Sequence, residues 1–146
     1  AVNQKSFKGR IIIAEQSKRY LENDSIFIFF KTLESLRVEN KLHTINTSKI
    51  TNDTPKTDIL YDDNYVWIES VNVFAKIKLA CQNEGISFDL SRQELYQKLE
   101  SEKLLITKDN RRSYEYRKGQ FRQSVICLPR NNINRYLTYD KEDIKL

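Results

Sequence analysis

Ten side chains between Arg92 and Arg122 carry the chemistry this sequence offers. Arg92, Gln93, Gln97 and Lys98 lie at helical spacing. Arg and Gln are residue types that read base edges through paired hydrogen bonds. Lys108, Arg111, Arg112, Arg117, Lys118 and Arg122 follow in a stretch that reads as a hairpin. Cations so placed meet phosphates rather than bases. From Lys103 to Arg135 nine basic residues stand against two acidic ones, Asp109 and Glu115, which makes that segment +7. The whole chain is +5, so the remainder is −2. Positive charge confined to one segment is the footprint of phosphate binding rather than of general solubility. A solvated hairpin with ordinary surface charge would account for the hairpin alone about equally well. The helix just before it tips the reading toward nucleic acid.

The elements that must position these side chains are legible in the pattern. Ser91 and Glu94 form a capping box, each satisfying the other's backbone amide, and start a helix. Leu95 and Leu99 share one face with Tyr96 beside them, which leaves Arg92, Gln93, Gln97 and Glu100 on other faces. Leu104 to Ile106 is an apolar run that predicts a strand start. Asp109-Asn110 supply a turn, and Tyr114 and Tyr116 alternate with Glu115 and Arg117. Gly119 marks a break, and Arg122 to Leu128 reads as a further strand.

Upstream, Tyr20 to Asn40 is helical, with Ile26, Phe29, Phe30, Leu33, Leu36 and Leu42 recurring at three- and four-residue steps. Asp24 or Ser25 can cap it. Phe27 and Ile28 add apolar surface beyond one stripe, for deep packing or a partner. Residues 41–63 are rich in Thr, Asn, Asp and Lys around Pro55 and read as a long polar connection with one short strand near Ile59 to Tyr61. Tyr65 to Ile68 is strongly β-prone and holds the sole tryptophan, Trp67. A helix follows from Val71 to Asn83, with Gly85 placed just past its end. Helix, strand, helix, turn, helix, strand, strand is the order of a winged helix-turn-helix. The expected fold is therefore α+β: a three-helix core, a small antiparallel sheet and a basic wing. In that fold the helix from Ser91 enters a groove while the wing grips the backbone.

Other chemistries lack their residues. There is no GxxxxGK[ST] phosphate loop, and with only Gly9, Gly85 and Gly119 no glycine-rich cradle can be assembled. No GxSxG or HExxH occurs, His43 is the single histidine, and Cys81 and Cys127 stand far apart. A metal site is not expected, and two thiols on apolar stretches are expected to be buried and reduced, as in a cytosolic protein. Asp62-Asp63 and Asp140 to Asp143 read as solvated carboxylates. The chain is expected to be non-enzymatic by itself, with no cofactor and no small-molecule substrate.

Its 146 residues suit one domain with appended segments. Residues 1–19 read as a junction to a neighbour, 20–130 as the winged-helix domain, and 131–146 as a C-terminal tail whose Asn131 to Tyr139 can form a short helix. The chain begins with Ala and holds no Met, and nothing at its start resembles a signal peptide, so the expectation is a fragment of a longer protein. The apolar run Ile11 to Ala14 is too short to span a membrane.

The segment Asp62 to Leu128 resembles the C-terminal winged-helix domain of replicative helicases carried by staphylococcal genomic islands, phages and cassette elements. The likeness lies in DDNYVWIES, then ACQNEGISFDLSRQELYQKLESEKLLITKDN, then YRKGQFRQSVICLP. Tyr65 to Ile68 matches a tyrosine-containing strand, Glu84-Gly85 a helix end, Leu99 to Leu105 a leucine-spaced helix end, and Arg117 to Leu128 a basic closing hairpin. Those helicases carry an ATPase core related to the hexameric MCM helicases, and its motifs are absent here. The resemblance implies DNA replication in a bacterial cytoplasm: a helicase C-terminal domain that helps its ATPase core find or hold a double-stranded origin. Two other readings stand beside it. One is a protein-docking module using the aromatic helix, which an exposed Phe27/Ile28 patch would favour. The other is a stand-alone regulator of a mobile element, which would need dimerisation. For duplex binding, substituting Arg111 and Arg112 together is expected to weaken affinity for all sequences in a salt-series titration, whereas substituting Arg92 or Gln93 relaxes sequence preference.

Overall fold

The computed structural model describes residues 24–136. Expectations for residues 1–19, including a strand at Ile11 to Ile13, and for Asp140 to Asp143 lie outside the described residues. The described chain is α+β, with four helices and one five-stranded mixed sheet.

Helix α1 (Ser25–Val38) starts where the Asp24 carboxylate accepts from the Phe27 amide at 3.1 Å. Its buried residues, Ile26, Ile28, Phe29, Phe30, Leu33 and Leu36, spread over more than one stripe, so the helix is covered on several sides. Ile28 is buried and Phe27 half-buried, so the exposed Phe27/Ile28 patch that would favour a docking module is not formed. Two short strands follow, β1 (Thr44–Asn46) and β2 (Ile59–Tyr61), with a 3-10 turn at Thr47–Lys49 between them. Strand β3 (Tyr65–Glu69) comes after a turn in which Asp62 Oδ1 accepts from the amides of Asn64 and Tyr65, both at 2.8 Å. That carboxylate is thus committed to the backbone.

Helix α2 (Asn72–Asn83) has no side-chain cap at its own N-cap residue. Instead Glu69, at the end of β3, accepts from the amides of Val71, Asn72 and Val73 at 2.5–3.0 Å. Gly85 sits past the helix end at φ +70°, and Ile86 N–H closes on Cys81 C=O at 2.8 Å, the left-handed ending that glycine makes without strain. Helix α3 (Arg92–Ser101) carries the expected capping box: Glu94 N–H donates to Ser91 Oγ at 3.1 Å, and Ser91 N–H to Glu94 Oε1 at 2.8 Å. The Ser91 N–H, and after it the Ser91 side chain, hold the Glu94 carboxyl below the ordinary carboxylate value. The helix ends in the same left-handed way, but with Lys103 at φ +62° where glycine would be relaxed. Helices α2 and α3 both pack on α1.

The remaining strands are β4 (Ser113–Lys118) and β5 (Phe121–Pro129), followed by α4 (Arg130–Ile133) and a 3-10 turn at Asn134–Tyr136. Ile133 is buried in the main core and Tyr136 stacks on Phe30 at 5.1 Å, so residues 131–136 pack with the helices. The sheet order is β1-β2-β3-β5-β4, antiparallel except for the parallel β1–β2 pair. This arrangement is compatible with a winged-helix-like fold.

Two expectations are corrected. The sheet is not a small antiparallel one, because residues 41–63 contribute two strands rather than one and extend it beyond β3. Ile45 and Ile50, isolated among polar residues, pack against Leu60 and Trp67 on the sheet face away from the helices. Buried Gln123 ties the same segment down, accepting from Thr57 N–H at 2.7 Å and donating to Thr57 C=O. Leu104 to Ile106 is not a strand. Leu104 and Leu105 plug the core, and only Ile106 bridges to Cys127.

The capping box acts on a helix whose Leu95 and Leu99 are wholly buried. Ser91→Ala is expected to lower stability by about 1 kcal/mol in urea unfolding and to let the Glu94 pKa, followed by NMR, rise toward its ordinary value.

Candidate nucleic-acid interface

Strand register decides where the cations of the hairpin point. Arg117 faces Arg122 across the β4–β5 pair, and Glu115 faces Ser124. These positions share parity with Ile126 and Leu128, which join the helix-side core, so they lie on the helix face of the sheet. Tyr114, Tyr116 and Lys118 have the opposite parity, with Val125 and Phe121, and lie on the other face.

The expected site is therefore split. On the helix side stand Gln93, Gln97 and Lys98, exposed on α3, together with Arg117 and Arg122. Arg92 is half-buried, with its guanidinium 3.5 Å from Ser70 C=O, an oxygen that also accepts from Tyr96 Oη at 2.6 Å. Burial raises the Tyr96 phenol well above its ordinary value, so it remains a donor. Arg112 pairs with Glu100 near the end of α3 at 2.5 Å, joining the base of the hairpin to that helix.

Lys108, Arg111 and Lys118 belong to the opposite face. Lys118 Nζ donates to Thr47 C=O at 2.5 Å, and Lys108 Nζ lies 5.0 Å from the centre of the Tyr114 ring. Arg111 lines a cleft on that face with Trp67, Tyr114 and Tyr116. The basic hairpin is thus not one continuous surface, and Arg111 and Arg112, neighbours in sequence, serve different sides. Alternation along β4 separates Arg117 from Lys118, and the turn bridge at Lys108 and Arg111 separates Arg111 from Arg112; charge counting along the sequence registers neither.

The hairpin tip is held rather than free. Asn52 Oδ1 accepts from Gln120 N–H at 2.9 Å. Gly119 at φ +59° lies so close that a Cβ there would stand 2.5 Å from the same oxygen. At the other turn, Asp109 and Asn110 both take positive φ, and Lys108 and Arg111 exchange backbone hydrogen bonds at 2.9 Å.

Like charges directly opposed on a sheet cost stability. Arg117 has Glu115 at 2.8 Å as a partner, while Arg122 is exposed and makes no ion pair among the described residues. Gln93, Gln97, Lys98 and Arg111 are likewise exposed, and their side chains make no hydrogen bond among the described residues.

The other expected groups are quiet. His43 is exposed in its loop and engaged through its backbone: its N–H donates to Asp58 Oδ2 at 2.7 Å, and its C=O accepts from the Asp58 and Ile59 amides, both at 3.0 Å. Among the described residues no three His, Cys, Asp or Glu side chains gather to hold a metal, and no helix is long and apolar enough to cross a membrane. Cys81 and Cys127 are both free thiols and both buried.

The aromatic group on the far face escaped the reading of the sequence. Trp67 Nε1 donates to Tyr114 Oη at 2.9 Å, and the Trp67 ring lies 5.1 Å from Tyr116 and 5.8 Å from Tyr65. Its signal was the period-two Tyr114–Tyr116 pair, which becomes informative only once the strand is paired beside Trp67. No protein-family model matches the chain, and no curated protein is significantly similar to it.

Burial pushes the Cys127 thiol up from an ordinary 9.0 to about 11. Above pH 9 the unfolded chain gives up this proton while the folded chain keeps it. Stability is therefore whole below pH 9 and falls as pH rises from 9 toward 11, by as much as about 2–3 kcal/mol. Urea unfolding at a series of pH values is expected to show this loss and Cys127→Ser to reduce it, the raised Cys81 thiol and Tyr114 phenol supplying what remains.

Proposed function

We propose that this chain is a winged-helix domain that binds double-stranded DNA, with α3 as the groove-reading helix and the β4–β5 hairpin as the wing. The observation that carries the reading is the shared side of the exposed α3 residues and the opposed Arg117–Arg122 pair. Two guanidiniums facing each other across the strands, with only Arg117 ion-paired, suit a phosphate that binds between or beside them. The order α1, β3, α2, α3, β4, β5, with β5 between β3 and β4, supports the winged-helix assignment. Three packed helices would form its core, with β1 and β2 as additions at one edge.

In this reading Gln93 and Gln97 face base edges, and Lys98, Arg117 and Arg122 contact phosphates. Arg92 and Arg112 hold α3 against Ser70 and the hairpin and fix the angle at which it is presented. The domain binds and does not itself catalyse. The resemblance of Asp62 to Leu128 to the helicase C-terminal domains adds a setting: origin recognition beside an ATPase core, in the cytoplasm of a bacterium, for a mobile element's replication. Burial of Ile28 weighs against the docking-module alternative.

The test is anisotropy of a labelled duplex over a salt series. Arg117→Ala with Arg122→Ala is expected to weaken binding to every sequence and to reduce the log–log salt slope by about 1.8, from two lost phosphate contacts. Gln93→Ala with Gln97→Ala is expected to relax sequence preference by about 1–3 kcal/mol at the contacted pairs. A double-arginine variant that binds with the parent's affinity and salt slope would remove the wing from the interface.

A further inference from the structure

The cleft on the sheet face opposite α3 shares only Arg117, at its edge, with the duplex surface proposed above. It has a volume of about 460 Å³ and is lined by Trp67, Tyr114 and Tyr116, by Lys108, Asp109 and Arg111 of the tight turn, and by Glu115 and Arg117 at the edge of β4. That size falls within the roughly 300–1,000 Å³ of small-molecule clefts. Its floor is aromatic: Tyr114 and Tyr116 are half-buried, each presenting part of its ring, and Trp67 backs both. Its rim is cationic. Glu115 is already paired with Arg117, which leaves Lys108 and Arg111 against Asp109 alone.

We infer that this cleft binds single-stranded nucleic acid, taking an unpaired base against Tyr114 and Tyr116 with the flanking phosphates on Lys108 and Arg111. Aromatic rings beside a positively charged rim are the two components of single-strand grooves: the rings stack on any base, and the cations follow the backbone. A duplex presents no free base face to the rings, so the cleft selects for unpaired strand. The rigid turn supports the arrangement. Lys108 and Arg111 are joined by two mutual backbone bonds, and the Lys108 ammonium lies 5.0 Å from the centre of the Tyr114 ring. Tyr114 is also held, through its hydroxyl, by Trp67.

This site and the duplex surface share Arg117 and otherwise rest on different residues, so Lys108 with Arg111, and Gln93 with Gln97, test them separately. The chain has one tryptophan, and it forms the back of the cleft, so its emission reports occupancy directly. The experiment titrates the full chain with a dodecamer of thymidylate, an abasic dodecamer with the same phosphates, and a duplex of equal length, and follows Trp67 fluorescence. Thymidylate is expected to quench saturably, and the abasic strand to bind on the order of 10- to 100-fold more weakly for want of stacking. Lys108→Ala with Arg111→Ala, both exposed, is expected to reduce the log–log salt slope for thymidylate by about 1.4. Three results would each overturn the inference: no quenching by thymidylate, equal binding of the abasic strand, or quenching by the duplex as strong as by the single strand. The two oligonucleotide comparisons use the unaltered chain, so they stand whatever the variant does to folding. Anisotropy of the duplex in the same series reads the α3 surface independently.

Discussion

Strand β5 is the constraint on which the rest depends. From Val125 to Leu128 every residue is buried, so this strand is covered on both faces. Ile126 and Leu128 meet the helices, while Val125, Cys127 and Phe121 meet Trp67, Leu60 and Ile50. A strand with two apolar faces needs two covers. One is the helical layer, and the other is built from the tyrosines of β4 and the loop of residues 47–57. Burying both faces fixes the register, because a slip by one residue would exchange every side chain between the two cores.

That fixed register is what gives the hairpin two chemically different sides. Arg117 and Arg122 take the sheet face on which the helices pack, whereas the tyrosines take the far face with Lys108 and Arg111. The hairpin is braced at both ends: Asn52 and Thr47 hold its tip, and Arg112 joins its base to Glu100. An exposed ion pair such as the last contributes only about 0–1 kcal/mol, so its role is to orient rather than to stabilise. Cations on a braced hairpin are pre-organised, and less conformational entropy is lost when an anion binds.

Helix placement follows the same economy of contacts across chain segments. Ser70 C=O gathers Tyr96 and Arg92 from α3, and Glu69 caps α2, so the end of β3 sets both helices. The exposed stripe of α3 is consequently oriented by the sheet and not by the turn between the helices. Arg92 serves that orientation, although its residue type and helical position make it look like a base-reading side chain.

Local signals were legible in the sequence wherever neighbours along the chain decide the outcome. The Ser91–Glu94 box, the Asp109-Asn110 turn, Gly85 past its helix and the break at Gly119 all depend on residues a few positions apart, and each forms as read. The polar stretch 41–63 was not legible. Its Ile45 and Ile50 acquire meaning only against Leu60 and Trp67, and its Thr57 only against Gln123. Leu104 to Ile106 had strand composition, but the core needed two leucines more than the sheet needed a strand. The sequence by itself determined the helices, their caps and the hairpin turns, and that positive charge gathers after Lys103, because capping, turn chemistry and composition are local. Only the tertiary structure decided which face of the sheet each cation and tyrosine occupies. Facing is set by strand register, and register is set by burying both sides of β5 at once.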